Sequence, residues 1–233
     1  MPAHRMSLLA AAFAAGLLWS QPAQAQQWLA FNIGEFSLRG LDGRIDDDVL
    51  LENSTVFDIY PRDLSGLTFG GEWQAAIGRR VELGVGLNYY RSTVPSVYLD
   101  YVDYDGSEIY QDFRLRITPV TFTLRVNPFG TNAPFQPYVG GGVGVFNWRY
   151  SEVGDFIDFT TFEVFNDRFV AAGTDVGTVI LGGVRVPIGT WFAAGFEARY
   201  QHAAGTVGID QGFLAERIDL GGFSTRYSIQ FRF

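Results

Sequence analysis

Cysteine is missing from the 233 residues, and lysine is missing too: all 17 basic residues are arginine, set against 25 acidic ones for a net charge of −8. Without cysteine there is no disulfide framework and no thiolate chemistry. Histidine is confined to His4 and His202. The acidic balance and the lack of a basic run leave no nucleic-acid footprint, and no nucleotide loop or zinc motif is present, so no cofactor is expected. After residue 25 no apolar run approaches 18 residues, which excludes a membrane-spanning helix. A membrane-embedded chain of this kind would have to cross as strands.

Residues 1–25 read as a cleaved secretory signal. His4 and Arg5 start it, Leu8 to Leu18 form the apolar stretch, and Ala23-Gln24-Ala25 is a small-x-small cleavage site. Residues 26–233 are then one domain by length. Their abundant glycine and aromatic residues suit closely packed strands with ring-rich edges.

Eight segments alternate with a period of two. They run from Trp28 to Arg39, Ser65 to Ile77, Val81 to Ser92, Ile109 to Val126, Phe135 to Tyr150, Phe169 to Val186, Trp191 to Ala203 and Glu216 to Phe233. The fourth carries a break in phase. Phe113, Leu115 and Ile117 alternate with Arg114 and Arg116, but after Pro119 the apolar set moves to Val120, Phe122, Leu124 and Val126. A one-residue slip inverts the faces of a strand, so a β-bulge at Pro119 is expected. The links at 78–80, 127–134 and 187–190 are short. Those at 40–64, 93–108, 151–168 and 204–215 are long. Short and long connections in alternation, with an even strand count, describe an all-β, eight-stranded antiparallel up-and-down transmembrane β-barrel. A lipocalin-like soluble barrel has the same strand count with its apolar face inward. Arginines and carboxylates deep in the segments favour the polar-inside arrangement.

The final segment, Arg226-Tyr227-Ser228-Ile229-Gln230-Phe231-Arg232-Phe233, ends on an aromatic residue. Gln136 to Val145, Leu181 to Arg185 and Ala194 to Tyr200 add glycine-rich strand patterns. In these stretches the chain resembles small bacterial outer-membrane β-barrel domains of the OmpA transmembrane-domain and OmpW type. That resemblance implies an outer-membrane location and a monomer. It implies insertion by the barrel-assembly machinery, with Tyr227, Ile229, Phe231 and Phe233 as the assembly signal, and no C-terminal peptidoglycan-binding domain.

Ten charged residues are candidate lumen groups: Glu72, Glu82, Arg114, Arg116, Arg125, Arg185, Glu197, Arg199, Arg226 and Arg232. A barrel of eight strands has little room beyond its own side chains, and buried charges must pair. An Arg–Glu network filling the core is one reading; a small anion-favouring conduit or passive uptake channel is the other. Glycines at 140, 142 and 144 leave the choice open, because they are able to leave space beside Tyr138, Phe146 and Trp148. The long connections are acidic and aromatic, which suggests a structural or surface-interaction role beside lipopolysaccharide, with divalent cations as possible partners. Tyr101 stands where a calcium loop would begin with a carboxylate. An enzyme is not expected. Lipid A deacylases of related fold use His-x-Ser, whereas His202 is followed by Ala203 and Ala204; outer-membrane proteases of the omptin type have ten strands.

Overall fold

The computed structural model describes residues 26–233; the signal-peptide expectation for residues 1–25 lies outside them. Eight long strands form the wall: β1 (Gln27–Leu38), β2 (Gly66–Ile77), β3 (Val81–Val102), β4 (Glu108–Val126), β5 (Gln136–Ile157), β6 (Val164–Ile188), β7 (Phe192–His202) and β10 (Gly222–Arg232). Each pairs antiparallel with its sequence neighbour in the wall, and β1 closes the ring by pairing Trp28 with Arg232 through Leu38 with Gly222. In the lower wall, over Val81–Tyr90 of β3 and Thr178–Ile188 of β6, these strands pair on both sides, the condition for a sheet to sit in hydrocarbon; above that level β3 and β6 each keep one pairing neighbour, β4 and β5.

The apolar positions of the lower wall point outward. Phe31, Ile33, Leu87, Phe122, Val143, Ile180, Tyr227 and Ile229 are exposed, several by more than half of their surface. In water such a girdle would be an apolar patch of a size that soluble monomers do not carry; in a bilayer it is the lipid-facing belt. Among the described residues no helix is long and apolar enough to cross a membrane.

The expected bulge at Pro119 is absent. Along β4 the odd positions stay inward and the even ones outward or rim-facing from Ile109 to Val126. The register with β5 is continuous from Gln111–Gly154 to Val126–Val139, and that with β3 is the same on both sides of Pro119. What changes at Pro119 is the medium on each face. Below it, even positions Val120, Phe122, Leu124 and Val126 face outward and Thr121, Thr123 and Arg125 face the lumen. Above it, Phe113, Leu115 and Ile117 fill the interior while Arg114 and Arg116 face out. The wall therefore continues past the lipid belt as a water-exposed sheet of β3 to β6 with ordinary polarity, apolar on its inner face and polar on its outer one.

This extension also revises the connections. The segments 93–108 and 151–168 are mostly strand, closed by tight turns between Val102 and Glu108 and between Ile157 and Val164. The link at 204–221 contains a small two-stranded sheet, β8 (Ala204–Thr206) with β9 (Arg217–Asp219). The eighth wall strand accordingly starts at Gly222 rather than at 216. The first long link folds as a 3-10 turn, a helix α1 (Val49–Val56) and a second 3-10 turn. Asp48 caps α1 by accepting from the Leu50 and Leu51 amides, and it holds Arg44 at 2.6 Å. Arg44 also donates to the Asp219 carbonyl at 2.7 Å, and Arg39 pairs with the Asp219 carboxylate at 3.0 Å. Both links are thereby tied together over the barrel mouth. Asp48 and Asp219 are fully buried, so part of the acidity expected at the surface is structural.

Candidate functional site

The interior has two storeys. The lower one is polar and closed by ion pairs that cross the cylinder. Arg185 on β6 meets both carboxylate oxygens of Glu82 on β3, at 2.7 and 3.0 Å. It also donates to Gln230 at 2.7 Å, to Gln136 at 3.2 Å and to Gln74, while its guanidinium stands 5.0 Å from the Trp28 ring centre. Further in, Arg125 on β4 and Arg199 on β7 share Glu72 and Glu197. The four contacts are 2.6 Å (Arg125–Glu72), 2.7 Å (Arg125–Glu197), 3.1 Å (Arg199–Glu72) and 2.9 Å (Arg199–Glu197). Arg199 donates to the Thr121 hydroxyl and Tyr138 donates to Glu197. Guanidinium forks against carboxylates are the strong form of charge-assisted bond. Glu82–Arg185, Arg125–Glu197 and Arg199–Glu72 each join strands three steps apart around an eight-strand ring, so they brace opposite walls.

Of the ten charged residues expected in the lumen, the structure gathers seven there: Glu72, Glu82, Arg125, Arg185, Glu197, Arg199 and Arg226, all buried. Arg232 lies at the lower rim, half-buried, with its guanidinium 5.8 Å from the Trp28 ring centre. Arg114 and Arg116 lie on the outer wall above the lipid belt; their assignment to the lumen is corrected by the polarity inversion at Pro119. Tyr138, already placed beside the luminal glycines, completes the lower storey with Gln74, Gln136, Gln230 and Trp28, which the sequence reading does not single out. Gln74 shares its parity with Glu72 on β2 and Gln230 with Arg226 on β10, which is the signal the sequence carried for those two.

The glycines at 140 and 142 do not open a path. A side chain at either would run into the backbone of β4 at Leu124 or Phe122, and one at Gly144 would meet the Phe146 ring. They are required for close approach of strands. The remaining space among Asn32, Glu72, Arg125, Tyr138, Glu197 and Arg226 is about 20 Å³, room for a water or so.

The upper storey is an apolar plug. Phe36, Tyr90, Phe113, Leu115, Phe146 and Trp148 fill the wall's interior, and Val49, Leu50, Phe57 and Leu64 of the first link close over them. The Glu152 carboxyl is sealed inside it. Glu152 accepts from Asn53 Nδ2 of α1 at 2.6 Å and from the Tyr150 hydroxyl at 2.9 Å. Burial pushes its carboxyl up to about 7, against a partial pull back from those two donors. His202 is on the outer face, with Nδ1 2.9 Å from an Arg39 nitrogen that also donates to Tyr200. Among the described residues no three carboxylate, histidine or cysteine side chains converge as a metal site would require.

A closed eight-strand ring of this topology has solved counterparts. The outer membrane protein OprG from Pseudomonas aeruginosa superposes with a TM-score of 0.53 at 12% identity, over 90% of this chain and 96% of that one. The protein has the fold of a small outer-membrane β-barrel. The barrel also aligns with the N-terminal β-barrel domain of Pseudomonas aeruginosa OprF (TM-score 0.45, 12% identity, 90% and 100% covered) and with Neisserial surface protein A (0.46, 13%, 89% and 95%). No protein-family model matches the barrel's sequence, and no curated protein sequence does.

Proposed function

We propose that this barrel is a structural, surface-presenting protein of the outer membrane rather than a conduit. The filled lumen carries that reading. Crossed Arg–Glu pairs occupy the lower storey, and about two dozen packed apolar side chains occupy the upper one. An ion entering from either end would have to break buried pairs or part an apolar core, each costing several kcal/mol. The rigid cylinder holds outward its two long links and the turns at 103–107 and 158–163, in or beside which Tyr101, Tyr104, Phe159 and Phe162 are exposed. These aromatic and acidic tips are the surface offered to a partner. Lipid surrounds the girdle. Assembly would proceed through the barrel-insertion machinery acting on the outward row Tyr227, Ile229, Phe231 and Phe233. The reading assigns no catalysis to the chain.

In planar bilayers, the refolded protein is expected to give no unitary conductance at neutral pH. Reproducible channel steps from protein with heat-modifiable gel migration would overturn the sealed-barrel reading. Steps that appear only after Arg125→Ala, by contrast, would show that the charge layer is the seal.

A further inference from the structure

On the outer wall, in the first outward row above the belt, three arginines stand side by side. The boundary row itself runs through Tyr89, Thr118, Asn147 and Thr174. One step up, Arg91 on β3 is opposite Arg116 on β4, and Arg116 is opposite Arg149 on β5. Directly opposed residues on neighbouring strands have Cβ atoms about 5 Å apart, and like charges placed so are destabilising. This chain nevertheless sets three guanidiniums in one line while carrying a net charge of −8. Arg114 and Arg168 flank the row and line the same cleft of about 210 Å³, together with Ser151.

Acidic side chains do not neutralise the row. Arg114 pairs with Asp112 at 2.7 Å, but among the described residues Arg91, Arg116, Arg149 and Arg168 have no ion-pair partner. The Nε atoms of Arg114 and Arg116 are buried without a hydrogen-bond partner. In the lumen Arg125, Arg185 and Arg199 are each matched to carboxylates, although Arg226 makes no ion-pair contact; the outward row instead sets three adjacent guanidiniums side by side with no carboxylate among them, a geometry that suits an anion. Its height decides which one. It lies at the level of lipid headgroups, faces away from the lumen, and is continuous with a hydrocarbon-facing surface below. Guanidiniums bind phosphate through paired N–H donors.

We propose that Arg91, Arg116 and Arg149 form a binding site for the phosphate groups of a phosphorylated glycolipid of the outer leaflet, of the lipid A kind, whose acyl chains lie along the girdle beneath. The site rests on the membrane placement proposed above. The two fail differently. Wrong placement would leave the protein folded and dispersed without amphiphile, whereas a wrong site would leave a normal membrane protein that ignores the phosphates.

The test uses the full barrel in nanodiscs, titrated with bisphosphorylated lipid A, with the same lipid stripped of phosphate, and with inorganic phosphate. The expected results are at least tenfold weaker binding of the stripped lipid, and at least tenfold weaker binding of lipid A by the R91Q/R116Q/R149Q variant. R79Q/R80Q, at the opposite end, should bind like the parent. In phosphate-free detergent the triple variant should melt no lower than the parent, because the change removes repulsion. If that variant does not fold, the R116Q variant replaces it and should bind lipid A at least threefold more weakly. Unchanged binding by the variant, or equal binding of stripped lipid, would overturn the site. Displacement of lipid A by an equal concentration of inorganic phosphate would reassign it to a free anion and overturn the lipid assignment.

Discussion

Glu82→Ala is expected to destabilise the barrel by about 3–5 kcal/mol, because it strands Arg185 as a buried charge without its counter-ion. The Arg185 guanidinium is fully buried and surrounded by Gln74, Gln136 and Gln230. Those amides accept three of its hydrogens and Glu82 the other two, and the amides supply no negative charge. The measurement is the urea midpoint of refolding into phospholipid vesicles, followed by gel migration with and without heating. Glu82→Gln should recover only part of the loss, since it restores volume and hydrogen bonding without the charge. Replacing the pair by Leu at 82 and Met at 185 should do better than either single change. It should still fall short of the parent, because it leaves the three glutamines without their donor. A loss below about 1 kcal/mol in Glu82→Ala would mean that water reaches the lower storey and screens the charge.

The second large effect is a pH dependence of the cap. Below pH about 4.5 Glu152 is protonated whether the cap is closed or open, so it contributes no difference. As pH rises, the exposed carboxyl of the open form ionises first, while burial keeps the closed form protonated up to about 7. The closed state therefore loses stability across this window and levels off above it, by a total on the order of 3 kcal/mol. No cation in the plug offsets the ionised form: the donors facing Glu152 are Asn53 and Tyr150. Hydrogen exchange of the α1 amides is the readout, because Asn53 ties that helix to Glu152. Protection should be greater at pH 5 than at pH 8, and Glu152→Gln should flatten the difference. Protection that does not change with pH in the parent would mean that Glu152 is hydrated. The cap would thus loosen at neutral pH and tighten in acid, without any movement of the wall below.

Individual strands show how far alternation carries. On β3, Val81, Leu83, Val85, Leu87 and Tyr89 alternate with Glu82, Gly84, Gly86 and Asn88, and that pattern specifies a two-faced strand at once. The short links at 78–80 and 187–190 and the antiparallel order follow just as directly. The phase break at Pro119 was legible too, but its cause was not. Periodicity records a change in which residues are apolar, and two physical events produce the same record. One is a slip of the backbone, and the other is a change of solvent on both faces. Only the unbroken register of β4 with β5 separates them. The same ambiguity put Arg114 and Arg116 in the lumen, when their parity with Val120 and Phe122 puts them outside.

The amino-acid order alone determined that this chain makes eight amphipathic strands, joined antiparallel, without a helix able to span a bilayer after residue 25. These are consequences of local periodicity and turn chemistry, which neighbouring residues settle among themselves. Which carboxylate meets which guanidinium was decided by closure of the ring. Glu82 sits directly opposite Arg125 on the adjacent strand, yet it pairs with Arg185 from across the lumen, 103 residues away. The reason is geometric: inward side chains of a narrow cylinder meet at its axis, so partners are set by height and facing direction rather than by separation along the chain. The row Arg91–Arg116–Arg149 arises the same way, from strand register, which places three residues far apart in sequence within one headgroup's breadth.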